Sequence, residues 1–205
     1  MADQRCRILQ RPNDRRHDLS NRLPPATKSW NGQLMNLHRV TPLPVGPARG
    51  RLIVGDEVVK VTQRALRSAS EGGARESMAW WLGSVVGVES VVLSVVRPKT
   101  VATAQSVMAS AEESGWAARL ARRYGLGIVA QLHTHPGTVT RHSDGDDRLI
   151  LMPFEGMFSI VLAEYGHGEL SVLADRSIHQ YQNGRWVLID PDVDVMVTVP
   201  PLVLP

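Results

Sequence analysis

The most constraining feature of this chain is a cluster of metal-ligand side chains between residues 133 and 146. The cluster contains His133, His135, Ser143 and Asp146, in the spacing H-x-H-x7-S-x2-D. Two imidazoles and one carboxylate can hold a catalytic zinc ion and leave its fourth position to water. A fold that uses this cluster has to bring side chains from separate elements to one point.

The two histidines are predicted to lie on a strand. Residues 127–135 form an apolar run of the kind found in buried strands. Alternation along a strand puts Val129, Gln131, His133 and His135 on one face, so both imidazoles point the same way. An extended backbone therefore offers two nitrogen ligands to one metal ion.

A short helix is predicted to supply the third ligand. Ser143 is a favourable N-cap for a helix over 143–152, which places Asp146 in its first turn. The expected ligands are the two histidines, Asp146 and one water, and this set suits Zn²⁺. Two alternatives stay open, because Ser-x-x-Asp is also the pattern of an ordinary helix start and Asp147 replaces Asp146 if the register differs by one. Neighbouring polar residues are predicted to lie on the loop and helix surface: His142, Asp144 and Asp147.

Hydrolysis also needs a base that accepts a proton from water, and ligands bound to a metal cannot serve. The candidate bases upstream of the cluster are Glu57, Glu71, Glu76, Glu89, Glu112 and Glu113. Glu76 is favoured because it directly precedes an apolar strand over 78–86, whose end can lie beside the metal strand. Glu89 falls within a strand, and Glu112 and Glu113 fit a helix surface.

The chain divides near residue 50. Residues 1–50 hold six prolines and carry nine Lys or Arg against three Asp or Glu, a net charge of +6. We interpret them as a basic, Pro-rich and largely irregular arm, and residues 51–205 as one domain of net charge −3. Contact of this basic arm with nucleic acid or an acidic partner is the alternative to a solvated segment, which is favoured, so nucleic acid is not the expected partner.

Periodicity in the domain predicts a mixed α/β fold with a central sheet. Helical spacing runs over 56–70, and a second helical stretch over 103–124 is expected to break near Gly115. Gly87 and Asn183-Gly184 mark two hairpins. The predicted strands are 52–54, 78–86, 88–96, 127–135, 157–163, 169–174, 177–182 and 185–189.

Composition excludes several function classes. The single cysteine, Cys6, rules out a disulfide framework within the chain and the Cys-rich zinc site of a nucleobase deaminase. No apolar stretch approaches the ~20 residues of a membrane span, and the N-terminus lacks a signal-peptide pattern. The expectation is a cytoplasmic protein without a membrane partner.

The cluster resembles that of the JAMM (JAB/MPN+) metalloprotease family, whose motif is matched by His133, Thr134, His135, Pro136, Ser143 and Asp146. An upstream family element, a Glu followed by small and apolar residues up to a Gly, is matched by residues 76–83. Ala79 stands where many members have Gly, and Trp80 and Trp81 are bulky for that strand. The resemblance covers about residues 51–175 and is greatest to compact bacterial members.

This resemblance implies a cytidine-deaminase-like fold, a mixed central β-sheet flanked by helices. It also implies a zinc isopeptidase that cuts after the C-terminal tail of a ubiquitin-like protein, in some members within anti-phage systems. Carried over by position, His133, His135 and Asp146 are the metal ligands, Glu76 is the general base, and Ser143 donates a hydrogen bond to the oxyanion. The alternatives are a protease that processes sulfur-carrier proteins, a RadC-like protein, and a non-catalytic MPN scaffold that binds a partner.

Overall fold

A computed structural model of the protein describes Arg39, residues 41–150 and residues 153–201, the side chains at 148 and 149 excepted. The helices are α1 (Asp56–Ser70), α2 (Ala111–Arg123) and α3 (Asp144–Leu149). The strands are β1 (Val45–Gly46), β2 (Leu52–Gly55), β3 (Met78–Val86), β4 (Glu89–Val96), β5 (Thr100–Ala102), β6 (Val107–Ala109), β7 (Gly127–Thr134), β8 (Phe158–Leu162), β9 (Arg176–Gln182), β10 (Arg185–Ile189) and β11 (Met196–Val199).

Nine of the strands form one mixed sheet in the order β1-β10-β9-β8-β7-β3-β4-β2-β11, and β5 pairs with β6 in a small second sheet. In the centre, β7 runs antiparallel to β3 and parallel to β8. The mixed α/β fold with a central sheet, predicted from periodicity, is confirmed. No helix in the described part of the chain is long and apolar enough to cross a membrane.

Two bulky tryptophans in β3 pack on opposite sides of the sheet, because successive strand residues face opposite ways. Trp81 is fully buried in the core cluster that includes Leu66 of α1, and its indole Nε1 donates to Thr62 Oγ1 at 2.8 Å. Trp80 packs in a second cluster with Ala117 and Ala121 of α2. The sheet is therefore covered by a helix on each side of its centre.

Elements with a clear local sequence pattern, either helical periodicity or turn residues, lie where they are predicted. The predicted helix over 56–70 is α1, with Asp56 and Glu57 in its first turn, where the helix dipole favours acidic side chains. Both predicted hairpins are also confirmed. Gly87 and Asn183-Gly184 form their turns, and these three residues have positive φ angles.

Two element predictions are wrong. The stretch predicted as helix over 103–124 contains β6, and α2 begins only after Ser110, whose hydroxyl oxygen accepts from the Glu113 N–H. α2 then continues through Gly115 without a break. The predicted strand over 169–174 consists of turns and the start of a short 3-10 helix, because the Asp175 carboxylate accepts the Glu169 N–H and competes with strand pairing.

A bulge in β7 changes the predicted alternation. The pairing of β3 with β7 shifts by one residue between Ala130 and Ile128, so Val129 is the extra residue. Val129 then packs in the same cluster as Ala130, while Ile128 packs against the cluster of Trp80. The predicted common face therefore includes Gln131 and His133 but not Val129.

The last residues of the predicted arm contact the domain. Val45–Gly46 forms β1, which pairs in parallel with β10, and Gln182 Nε2 donates to the Pro47 carbonyl oxygen at 3.0 Å. These contacts lie before the predicted boundary near residue 50. The arm prediction for residues 1–38 and residue 40 falls outside the described residues.

Gly83 is required by the close approach of β4. A Cβ added there would lie 1.9 Å from the Val91 carbonyl oxygen, at the point where the β3–β4 register shifts. We expect Gly83→Ala to lower the free energy of unfolding by about 1–3 kcal/mol, because backbone has to move. Gly127 is its cross-strand partner, and no atom lies within 4 Å of a Cβ added there. Urea denaturation of both variants checks this, and a Gly83→Ala variant as stable as Gly127→Ala would contradict it.

Candidate metal centre

Three donor atoms converge at the end of β7. His133 Nε2 and His135 Nε2 are 3.2 Å apart, His135 Nε2 is 3.2 Å from Asp146 Oδ2, and His133 Nε2 is 3.4 Å from Asp146 Oδ1. Both histidines are buried, and Asp146 is partly buried. The structure thus brings together the three side chains that the spacing predicts as ligands.

Backbone hydrogen bonds fix His135 just beyond the strand. Its N–H donates to the Leu162 carbonyl oxygen at 2.9 Å, and its carbonyl oxygen accepts from the Tyr165 N–H at 2.7 Å. The ring is oriented by Nδ1, which lies 2.8 Å from the Val139 carbonyl oxygen. Because a carbonyl can only accept, Nδ1 carries the proton, and a neutral His135 presents the Nε2 lone pair to His133 and Asp146.

This convergence of acceptors fits a metal ion. A lone pair on His135 Nε2 that faces a carboxylate oxygen is unfavourable unless a proton or a cation lies between them. Ligand atoms held tetrahedrally at 2.0–2.2 Å from an ion are about 3.4 Å apart, close to the distances observed here. His133, His135 and Asp146 could therefore hold a metal ion.

Charges within this group shift two pKa values in opposite directions. Burial lowers the pKa of His135, but the hydrogen bond and negative charge of Asp146 outweigh it, so the pKa is raised overall. Burial raises the pKa of Asp146, but the neighbouring His133 and His135 outweigh it and hold that pKa far below its usual range. Both shifts reflect the attraction between the Asp146 carboxylate and positive charge on the histidine side of the site.

The start of α3 orients the carboxylate ligand. Ser143 is the N-cap: its Oγ accepts from the Asp146 N–H at 3.2 Å, and its own N–H donates to Asp146 Oδ2 at 2.6 Å. This reciprocal pair is a capping box. The hydrogen bonds that begin the helix therefore also hold the Asp146 carboxylate where it faces the two histidines. Because the Ser143 hydroxyl oxygen acts as an acceptor in this capping box, its proton is free to donate elsewhere.

Glu76 reaches the site through strand pairing. Met78 pairs with His133, and the Thr134 N–H donates to the Ser77 carbonyl oxygen, so the same register places Glu76 opposite His135. Glu76 is 3% exposed. Burial raises its pKa to about 8, with His135 lowering it and Asp146 raising it further. A nearby cation favours the deprotonated carboxylate.

The other candidate bases lie elsewhere. Glu57 pairs with Lys60 on α1, Glu89 pairs with Arg51, and a Glu113 carboxylate oxygen accepts from the Lys99 N–H. Glu71 and Glu112 are exposed. The Glu76 carboxyl group, by contrast, interacts electrostatically with His135 and Asp146.

The prediction that His142 lies on the surface is wrong, whereas Asp147 lies on α3 with a partly exposed side chain. His142 is 1% exposed, and its ring stacks on His179 with centroids 3.9 Å apart. Its Nδ1 is 3.1 Å from Asp147 Oδ1, and its Nε2 is 2.8 Å from Ser159 Oγ. Burial lowers the pKa of His142 and outweighs Asp147, so the ring is neutral and Nδ1 donates. Asp147 is engaged here and by Arg39, and is not a replacement ligand.

A groove of about 660 Å³ adjoins the metal-ligand group. His133 and Asp146 form part of its wall, and most of the remaining wall is apolar, including Met78, Trp80 and Met157. Strand β6 and one side of α2 complete it. The site therefore combines converging ligands with a largely apolar channel next to them.

Residues 58–172 match the family described as prokaryotic homologs of the JAB domain, which is more than half of the chain. The chain belongs to this family. The resemblance inferred from the sequence and the predicted JAB/MPN-type fold are thereby confirmed. Prokaryotic JAB domains include metalloproteases and non-catalytic members. No curated protein matches the chain in sequence.

Solved structures show the same fold. A solution structure of a protein from Desulfitobacterium hafniense is similar with a TM-score of 0.56 at 15% identity, over 74% of this chain and 94% of that one. A protein from Salinibacter ruber is similar with a TM-score of 0.50 at 16% identity, over 71% of this chain and 90% of the other. At these identities the likeness concerns the fold alone.

We expect this JAB domain to bind one Co²⁺ per chain, used here as a spectroscopic probe, and Asp146→Ala to bind none. Asp146→Asn should also fail, because it removes the negative charge while keeping a similar shape. Metal analysis after equilibrium dialysis measures both. The matched control is Asp192→Ala, an exposed aspartate distant in sequence from the site. Stoichiometric Co²⁺ in Asp146→Ala would refute this ligand set.

Proposed function

We propose that this JAB domain is a zinc-dependent peptidase that cuts after the C-terminal tail of a ubiquitin-like protein, by deconjugation or by maturation of a precursor. The observation that supports it is the convergence of His133, His135 and Asp146 opposite a buried Glu76, beside an apolar groove. A scaffold that only binds a partner has no need for this combination. A bacterial anti-phage system and the cytoplasm are the setting we propose.

Two imidazoles and one carboxylate are a ligand set that suits zinc. Zinc held there supplies Lewis-acid chemistry, which lowers the pKa of a water and polarises the carbonyl of the scissile bond. The protein orients two of the three ligands: the Val139 carbonyl oxygen holds the His135 ring, and the Ser143 N–H holds the Asp146 carboxylate. These two side chains would therefore be in position before an ion binds.

Glu76 is the proposed general base. Its carboxylate accepts a proton from the attacking water and then gives that proton to the leaving amine, which restores the carboxylate for the next cycle. Burial, which raises its pKa, makes it a stronger proton acceptor than an exposed glutamate. Ser143 is proposed to donate its free hydroxyl proton to the oxyanion that develops on the substrate carbonyl.

The groove is the proposed binding site for the substrate tail. Ubiquitin-like tails are extended and end in small residues, which fit between α2 and the sheet next to His133. Strand β6 lines this groove and pairs only with β5 among the described residues. Its other edge can add the tail as a further strand by β-augmentation.

Replacement of the proposed base separates catalysis from metal binding. We expect Glu76→Gln to lower kcat by a factor of about 10²–10⁴, because the amide cannot accept the proton, while the zinc content stays at the wild-type value. Cleavage followed by intact mass and zinc measured by metal analysis check both parts. Glu112→Gln, an exposed glutamate on α2, should leave both unchanged. Full cleavage by Glu76→Gln would rule out this base.

The substrate class is tested with two probes: ubiquitin carrying a C-terminal peptide extension, and a ubiquitin-like protein joined to a lysine side chain. The zinc-loaded protein is expected to cut at least one of them after the terminal glycine, and a chelator should stop the reaction. A sulfur-carrier precursor is tested in the same way. If the protein binds one zinc per chain and cuts none of the three substrates, the peptidase proposal fails and the non-catalytic scaffold is favoured.

A bulky side chain in the groove should weaken substrate binding and leave metal binding unchanged. Ala118 on α2 lines the groove, so we expect Ala118→Trp to raise KM at least about tenfold, since it occludes the path of the tail. Arg119→Trp, on the neighbouring exposed surface of α2, is the matched control. Steady-state kinetics and zinc content are measured for both. An unchanged KM in Ala118→Trp would place the tail outside this groove.

A further inference from the structure

Helix α3 is held by an arginine that lies outside the region matched by the JAB family. Arg39 Nη2 donates to Asp147 Oδ2 at 2.5 Å, Nη1 donates to the Ser143 carbonyl oxygen at 3.3 Å, and Nε is 3.8 Å from Asp144 Oδ1. One guanidinium group therefore contacts the cap of α3 and the acidic residues on both sides of Asp146.

We propose that Arg39 is a positioning residue for the metal centre. It holds the first turn of α3 where Asp146 reaches His133 and His135, and so couples the segment before the domain to metal affinity. This inference rests on the metal site of the proposed function.

The first turn of α3 needs such an anchor. The helix has six residues, and a helix this short is unstable in isolation. Asp144, Asp146 and Asp147 all lie in this turn, so three carboxylates repel one another. The helix dipole and the capping box offset part of this repulsion. Arg39 supplies a positive charge beside two of them, and its side chain is 19% exposed, which limits screening by solvent.

Asp147 links this arginine to the sheet. One carboxylate oxygen accepts from Arg39, and the other accepts from His142 Nδ1 at 3.1 Å. His142 Nε2 in turn accepts from the Ser159 hydroxyl at 2.8 Å, and Ser159 lies on β8, next to β7. Both oxygens of Asp147 are therefore fixed, which fixes the backbone that carries Asp146.

A second arginine in the same segment provides a matched control. Arg49 Nη1 donates to Glu155 Oε1 at 2.6 Å, so it also joins the early segment to a distant acidic residue. Within the described residues, Arg49 bonds to Gln180 and Glu155, neither of which belongs to α3. Loss of Arg49 therefore removes an arginine–carboxylate pair, more exposed than that of Arg39, without touching the helix that carries Asp146.

The experiment compares full-length Arg39→Ala and Arg49→Ala. In the metal-free proteins, hydrogen exchange of the amides over 143–150 should rise at least tenfold in Arg39→Ala and stay within twofold in Arg49→Ala. The Co²⁺ dissociation constant should rise roughly 10- to 100-fold in Arg39→Ala, with a changed visible Co²⁺ spectrum. Arg49→Ala should keep the wild-type spectrum and affinity.

Wild-type exchange and wild-type Co²⁺ affinity in Arg39→Ala would overturn the inference, as would equal losses in Arg49→Ala. If Arg39→Ala does not fold, Asp147→Asn replaces it, because it removes the charged partner of Arg39 and should give the same exchange and spectrum. Unchanged exchange in Asp147→Asn also overturns the inference. A wild-type protein that binds no Co²⁺ refutes the metal site itself, and hydrogen exchange still decides whether Arg39 anchors α3.

Discussion

The pairing of β3 with β7 is the constraint on which the rest of the site depends. Met78 pairs with His133, and Ser77 and Thr134 extend the ladder through the Thr134 N–H and the Thr134 hydroxyl. This register places Glu76 opposite the end of the metal strand. A slip of one residue would turn every side chain to the other face of the sheet. The close approach at Gly83 and the bulge at Val129 oppose such a slip because each fits one register only.

The centre that this pairing creates is a buried concentration of electron-pair donors. His133, His135 and Asp146 face one another at hydrogen-bonding distances, and Glu76 lies close enough for its pKa to respond to two of them. Such an arrangement is unfavourable by itself, and a proton or a divalent cation relieves it. The same cluster of donors that makes the site costly to fold therefore makes it able to hold a cation.

Around these ligands the structure places neutral and partnered polar groups. His142 and His179 are fully buried, and burial lowers the pKa of both, so they stack as neutral rings. Asp147 is neutralised by Arg39 rather than by a metal. As a result, Asp146 is the carboxylate directed at His133 and His135, although three aspartates lie in the first turn of α3.

Local sequence determined much of this protein. Helix α1, both hairpins, the strand that bears His133 and the cap at Ser143 follow from periodicity and turn chemistry within short windows, and the ligands lie within 14 residues of one another. The sequence offers six glutamates as candidate bases and favours Glu76, but only the strand register brings Glu76 opposite His135. The errors over 103–110 and 169–174 come from short-range contacts, the pairing of β6 with β5 and the bond between Asp175 and Glu169, which compete with the local pattern. The bulge at Val129 and the burial of His142 depend on contacts between residues distant in sequence, such as His142 with His179. No local pattern records these contacts, because their energies exist only once the chain has folded.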